Sequence, residues 1–122
     1  MTRSDAEHFA AAWAAAWNAV DIDTVVAHLA LNAEMRSPLA QHLTGRPSIQ
    51  GRENIRAYWV KAYGHIKHPN LRLQACSWDD SLRRLTVWWQ ADLPSGPTRA
   101  SEYMDFNDDG LVHRSEAFYG AA

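Results

Sequence analysis

The chain has 122 residues, 47% of them hydrophobic, and a net charge of −2 from 12 Lys/Arg and 14 Asp/Glu, which supports one domain with a real core and no second one. Neither sign of charge forms a long run, so nothing marks a nucleic-acid or anionic-membrane partner, although six tryptophans are available to stack on bases. No apolar stretch approaches the ~18–20 residues of a bilayer crossing, no apolar h-region follows the charged amino end, and the single Cys76 cannot form an internal disulfide, so the expectation is an unexported, cytoplasmic protein.

Helices are expected first. Ser4 and Glu7 have capping-box spacing, and Phe9, Trp13, Trp17 and Val20 follow at steps of three and four, predicting a helix from about Asp5 to Asn18. After the Asn18-Ala19-Val20-Asp21 break, Asp21 or Asp23 caps a short second helix with Val25, Val26 and Leu29 as its apolar stripe. A strand over Ala33–Ser37 stops at Pro38, and Leu39–Gln50, with Gly45 and Pro47, reads as an ordered loop able to close over a site. Gly51 opens a third helix that buries Ile55, Tyr58, Trp59, Ala62 and Ile66.

From Asn70 the period becomes two. Leu71, Leu73 and Ala75 share one face of a strand; Leu85, Val87, Trp89, Ala91 and Leu93 share a face of the next, with Thr86, Trp88, Gln90 and Asp92 opposite. The turns Asp79-Asp80-Ser81, Pro94-Ser95-Gly96-Pro97 and Asn107-Asp108-Asp109-Gly110 join consecutive strands, so the sheet is antiparallel and the class is α+β. On this pattern Trp88, Tyr103 and Phe118 point away from the core, and an apolar patch there predicts a homodimer through the outer sheet face.

Alternation also puts Glu102 on the face of Ala100, Met104 and Phe106, a carboxylate on an otherwise apolar surface. Burial would raise its pKa and favour a form that donates a proton. The other reading is a core-edge glutamate satisfied by a neighbouring donor. His113, in the alternation Leu111, His113, Ser115, Ala117, Tyr119, stands where it could pair with Glu102 across adjacent strands as an acid/base dyad. His65 and His68 are spaced i, i+3 but lack further ligands at metal-binding spacing, so no metal is expected. Gly45–Gly51 lacks the lysine of a phosphate loop, and no Gly-x-Ser-x-Gly elbow is present. Trp13, Trp17, Trp59, Trp89 and Tyr119, with Met35, Val87 and Met104, are candidates for the apolar wall of a pocket, or for simple core.

Five blocks in order, Trp13-(x3)-Trp17-Asn18-Ala19-Val20-Asp21-Ile22-Asp23, Arg36-Ser37-Pro38, Gly51-Arg52-Glu53-Asn54-Ile55-Arg56-Ala57-Tyr58-Trp59, Asp105-Phe106-Asn107-Asp108-Asp109-Gly110 and Phe118-Tyr119-Gly120, resemble the nuclear transport factor 2-like superfamily in its SnoaL-like bacterial branch. The resemblance covers nearly the whole of residues 1–122. It implies a cone, a curved antiparallel sheet packed against three N-terminal helices in a cystatin-like α+β roll, with a pocket between helices and concave face. It also places Ser37, Ser115 and Tyr119 on the pocket side. The superfamily includes isomerases, cyclases, dehydratases, epoxide hydrolases and non-catalytic binding modules, so the fold leaves function open.

Ketosteroid isomerases of the same superfamily match only in part. Their general base is an aspartate before a proline; Ser37 stands there. Their oxyanion-holding tyrosine on helix one is matched by Trp13, and a supporting tyrosine on helix three by Trp59. Their protonated aspartic acid is matched by Glu102. The resemblance therefore implies a cofactor-independent protein that binds a small apolar or cyclic ligand, with Glu102 in an acid/base or anchoring role, or alternatively a non-catalytic binding or dimerisation module, and not a standard ketosteroid isomerase.

Overall fold

Hydrogen bonding at the amino end starts the first helix earlier than Ser4 and Glu7 suggest. In a computed structural model that describes residues 1–121, α1 spans Arg3–Asn18 and is capped by Thr2. Thr2 Oγ1 accepts from the Asp5 N–H at 3.1 Å, and Asp5 accepts from the Thr2 N–H at 2.8 Å. Glu7 instead meets Arg3 one turn away at 3.3 Å. The small side chains of Ala6 and Ala10, both fully buried, let α1 lie close against the sheet edge. Asp21 caps α2, Ile22–Ala27, by accepting from the Thr24 N–H at 3.2 Å.

β1 runs over Leu29–Arg36 and so begins before the expected Ala33. The segment expected as a loop is ordered into α3, Pro38–Thr44, and β2, Ser48–Gln50. The reason is local: Ser37 Oγ accepts from the Ala40 N–H at 2.9 Å, proline suits a first helical turn, and Gly45 at φ 77 ends the helix in the left-handed region. α4 then spans Arg52–Tyr63 and buries Ile55, Tyr58, Trp59 and Ala62.

Four strands follow: β3 Arg72–Asp79, β4 Arg84–Leu93, β5 Gly96–Phe106 and β6 Val112–Tyr119. The single sheet has the order β2-β1-β6-β5-β4-β3. All neighbours are antiparallel except β1 and β6, which are parallel because β1 is separated from the rest by helices. The sheet curls without closing. α1 packs on β3 near one edge, α4 on β1 near the other, and α2 joins the two helices, enclosing an interior between them. This is the expected α+β cone, with α3 added to the three expected helices.

Two bulges reset side-chain direction. Leu73 lies opposite Trp89 and Ala75 opposite Trp88, so Gln74 is an extra residue; Ala75 is turned outward, and Cys76 and Trp78 replace it against the core. On β6, Val112 lies opposite Phe106 and Arg114 opposite Asp105, so His113 is the extra residue. Val112, which strict alternation from Ser115 would turn outward, is consequently buried at 2% exposure.

Candidate active site

A cavity opens between the helices and the concave face, walled by α1, α4 and the central strands. Of the residues singled out by sequence, Trp13, Trp17, Met35, Ser37, Trp59, Trp89, Glu102, Ser115 and Tyr119 lie on its wall. Val87 and Met104 do not. They are buried at 0% and 3% exposure toward the filled end of the cone, where Phe106 packs edge-on against Phe9 at 5.0 Å. Both belong to the packed core, although Val87 lies directly opposite Glu102.

His113 is absent from the wall as well. His113 lies four residues along β6 from Ala117, the residue opposite Glu102, and as the extra residue of the bulge it is turned away from the inner face, so the expected dyad does not form. Strict alternation could not reveal this, since no glycine or proline marks the bulge.

Glu102 stands on β5 with Val87 and Ala117 as its cross-strand neighbours. The solvent it sees is that of the cavity. Burial pushes its carboxyl up to about 7, opposed only by the nearby Trp89 indole. That indole Nε1 is itself buried and reaches no acceptor at full hydrogen-bonding geometry, so the Glu102 carboxyl is at most a loose partner for it. Trp89 is the indole close enough to act on Glu102, while Trp13 lies on the same wall.

Three tyrosines complete the polar part of the wall: Tyr58 and Tyr63 from α4, and Tyr119 from β6. Burial raises all three, with Tyr119 pushed up to about 12, so they stay protonated donors. Although Ser37 and Tyr63 stand near Tyr58, its buried hydroxyl makes no hydrogen bond of acceptable geometry. Tyr63 escaped the sequence reading, but its i, i+4 relation to Trp59 was a usable signal. Trp17 packs edge-on against Trp59 at 5.2 Å and Tyr63 at 5.5 Å, fixing both rings.

The inner wall is thus apolar with a few convergent donors. Free N–H and O–H groups beside a neutral carboxylic acid suit an acceptor oxygen such as a ketone, ester or ether, and stabilise negative charge growing on it. A carboxyl near 7 also exchanges its proton readily at neutral pH. The base position is empty of base: the Ser37 oxygen is engaged in capping α3. Among the described residues no group of three or more His, Cys, Asp or Glu side chains is placed to hold a metal, and no helix is long and apolar enough to cross a membrane.

The chain belongs to the SnoaL-like domain family, whose sequence profile matches residues 10–112. It is similar over 98% of both chains, with 27% identity and a TM-score of 0.89, to a SnoaL-like protein of unknown function from Burkholderia thailandensis. The fold is shared with SalBIII, an epoxide hydrolase/cyclase-like enzyme in pyran ring formation in the polyether salinomycin, at 16% identity, TM-score 0.76 and coverage of 96% and 92%. AusH from Aspergillus nidulans shares it at 19% identity, TM-score 0.77 and coverage of 99% and 87%. No functionally curated protein matches the sequence.

Proposed function

We propose that the protein binds a small, neutral, cyclic ligand in this cavity and acts on it by acid/base chemistry through Glu102, as an isomerase, cyclase or dehydratase without a cofactor. The observation that carries the reading is Glu102, its carboxyl raised to about 7 beside the Trp89 indole, in the same cavity as the Tyr58 hydroxyl, which makes no geometric hydrogen bond. The tryptophans grip the ring, and the donors orient its oxygen. Glu102 delivers a proton to that oxygen or to a neighbouring carbon as charge develops. The enzymatic character of SalBIII agrees with this assignment at the level of the fold.

The cavity encloses about 70 Å3, below the ~300 Å3 at which drug-sized pockets begin. A single flat ring fits that space better than a fused steroid. With Ser37 in place of a base, a β,γ-unsaturated ketosteroid should not be turned over. The engaged Ser37 oxygen also favours a second reading, a binding module that anchors its ligand through Glu102 without chemistry.

Cyclohexanone distinguishes an open donor site from packed core. It should quench tryptophan fluorescence saturably below pH 7, more weakly above it as Glu102 ionises, and without that pH dependence in Glu102→Gln. Absence of saturable quenching in the wild type would remove both readings. The outer face, with Trp88 at 42% and Phe118 at 50% exposure, is the proposed homodimer surface. Sedimentation at tens of micromolar (an order chosen for a standard-sized interface) should give a dimer that Trp88→Glu dissociates, and a wild-type monomer would remove that assignment.

A further inference from the structure

The end of β1 leaves an opening beside β6. Arg36 is the last residue of β1 and lies opposite Glu116, whereas β6 continues to Tyr119. The chain turns away at Ser37 into α3, so the last residues of β6 are paired with β5 on one side only. A depression of about 310 Å3 occupies the gap, with Pro38 and Gln41 of α3 on one side and Phe118 on the other. Arg36, Ser37, Ala117 and Tyr119 line both this depression and the inner cavity. Only these side chains stand between the two spaces, and they do so beside Glu102, whose cross-strand partner is Ala117.

Arg36 is the sole cation on either wall among the described residues. Its guanidinium makes no side-chain hydrogen bond there and only a long ion pair to Glu116 at 3.9 Å. Glu116 already accepts from the Tyr103 hydroxyl at 3.1 Å, so losing Arg36 would not strand it. Glu116 also lines the outer depression, but Arg36 already stands against its charge, and an arginine whose remaining donors are unused among the described residues is suited to bidentate capture of a carboxylate.

We propose that this window is a second, anion-accepting subsite, and that the ligand carries a carboxylate on a short chain, passing between Ser37 and Ala117 to Arg36 while its ring stays in the inner cavity. The inference rests on the ring-binding reading above and adds the ligand's second functional group. It also divides the chemistry in space: the ring oxygen meets the neutral acid Glu102, and the permanent charge stays outside with arginine, where its desolvation cost is small.

The test compares cyclohexanone, 3-(4-oxocyclohexyl)propanoate and the methyl ester of that acid by fluorescence titration at pH 6 and low salt. The wild type should bind the acid roughly 3–10-fold tighter than the ester, the range of a half-exposed charge-assisted pair. Arg36→Met should erase that preference while the ratio of ester to cyclohexanone binding stays as in the wild type, Arg36→Lys should keep part of the preference, and added salt should reduce it in the wild type. Equal binding of acid and ester, or an Arg36→Met loss shared by all three compounds, would overturn the subsite while leaving ring binding standing. Failure of all three compounds to bind would overturn the ring-binding reading and the subsite with it.

Discussion

Two carboxylates three residues apart on β5 show how differently one sheet treats acidic groups on its two faces. Glu102 faces the cavity and among the described residues is paired with no cation, so burial raises its pKa to about 7. Asp105 faces the other way and is buried to 7% exposure, but Arg84 holds it bidentately at 2.7 and 3.0 Å. Arg84 in turn lies 4.1 Å above the Tyr103 ring and is pushed further up in pKa by Asp105. Both groups are removed from bulk water. What separates them is the partner: a carboxylate given a guanidinium is a structural tie, and one given only weak neutral donors is left to exchange protons.

Breaking the structural side should have the larger effect. Arg84→Met leaves Asp105 desolvated and unpaired, and urea denaturation at pH 7 should show a loss of about 2–3 kcal/mol, below the ~3–5 kcal/mol of a fully buried pair because Arg84 is partly exposed. A loss below about 0.5 kcal/mol would show that water satisfies Asp105 and that the contrast between the two faces is weaker than drawn.

The Glu102 side is sharpened by pH. Its carboxyl has a folded pKa of about 7 against an ordinary value of 4.5, so the folded state holds the proton that the unfolded chain releases, and stability must fall as pH rises. The penalty is absent below pH 4.5, accumulates between 4.5 and 7, and is complete above 7, reaching no more than about 3 kcal/mol before cavity water screens it. Glu102→Gln should therefore match the wild type near pH 4.5 and exceed it in stability at pH 8, by chemical denaturation at each pH. A wild-type and variant difference that does not change with pH would place Glu102 among satisfied structural carboxylates.

The smallest expected effect belongs to Tyr58. Its buried hydroxyl has no partner, so Tyr58→Phe should be neutral or stabilising by up to ~1 kcal/mol while weakening cyclohexanone binding several-fold. A clear destabilisation would mean that the hydroxyl serves the fold and not a ligand.

Much of this arrangement follows from local chemistry that the sequence displays. The two-residue period from Leu85 to Leu93 and through Ala100–Phe106 gave the inward direction of Trp89 and Glu102, because β4 and β5 pair without a bulge until Asp105. The Asp21 cap and the α4 stripe were equally legible, since caps and helical faces depend on near neighbours. The prefix Ser37-Pro38 carried a helix start as well as a strand end, a reading that family comparison with a catalytic aspartate obscured.

Tertiary structure alone decided the remainder. Bulges at Gln74 and His113 arise where strands of unequal path must stay paired around a curved sheet, and they exchange Ala75 for Cys76 and Trp78 in the core and remove His113 from the site. Which apolar residues line space and which fill it depends on how tightly the sheet curls, so Trp89 borders the cavity while Val87, two residues away on the same face, does not. The raised pKa of Glu102 likewise required knowing that no cation from another strand reaches it. A sequence specifies which face a side chain takes through its own backbone, but what that side chain meets is supplied by segments far away in the chain, and that is settled only when they pack.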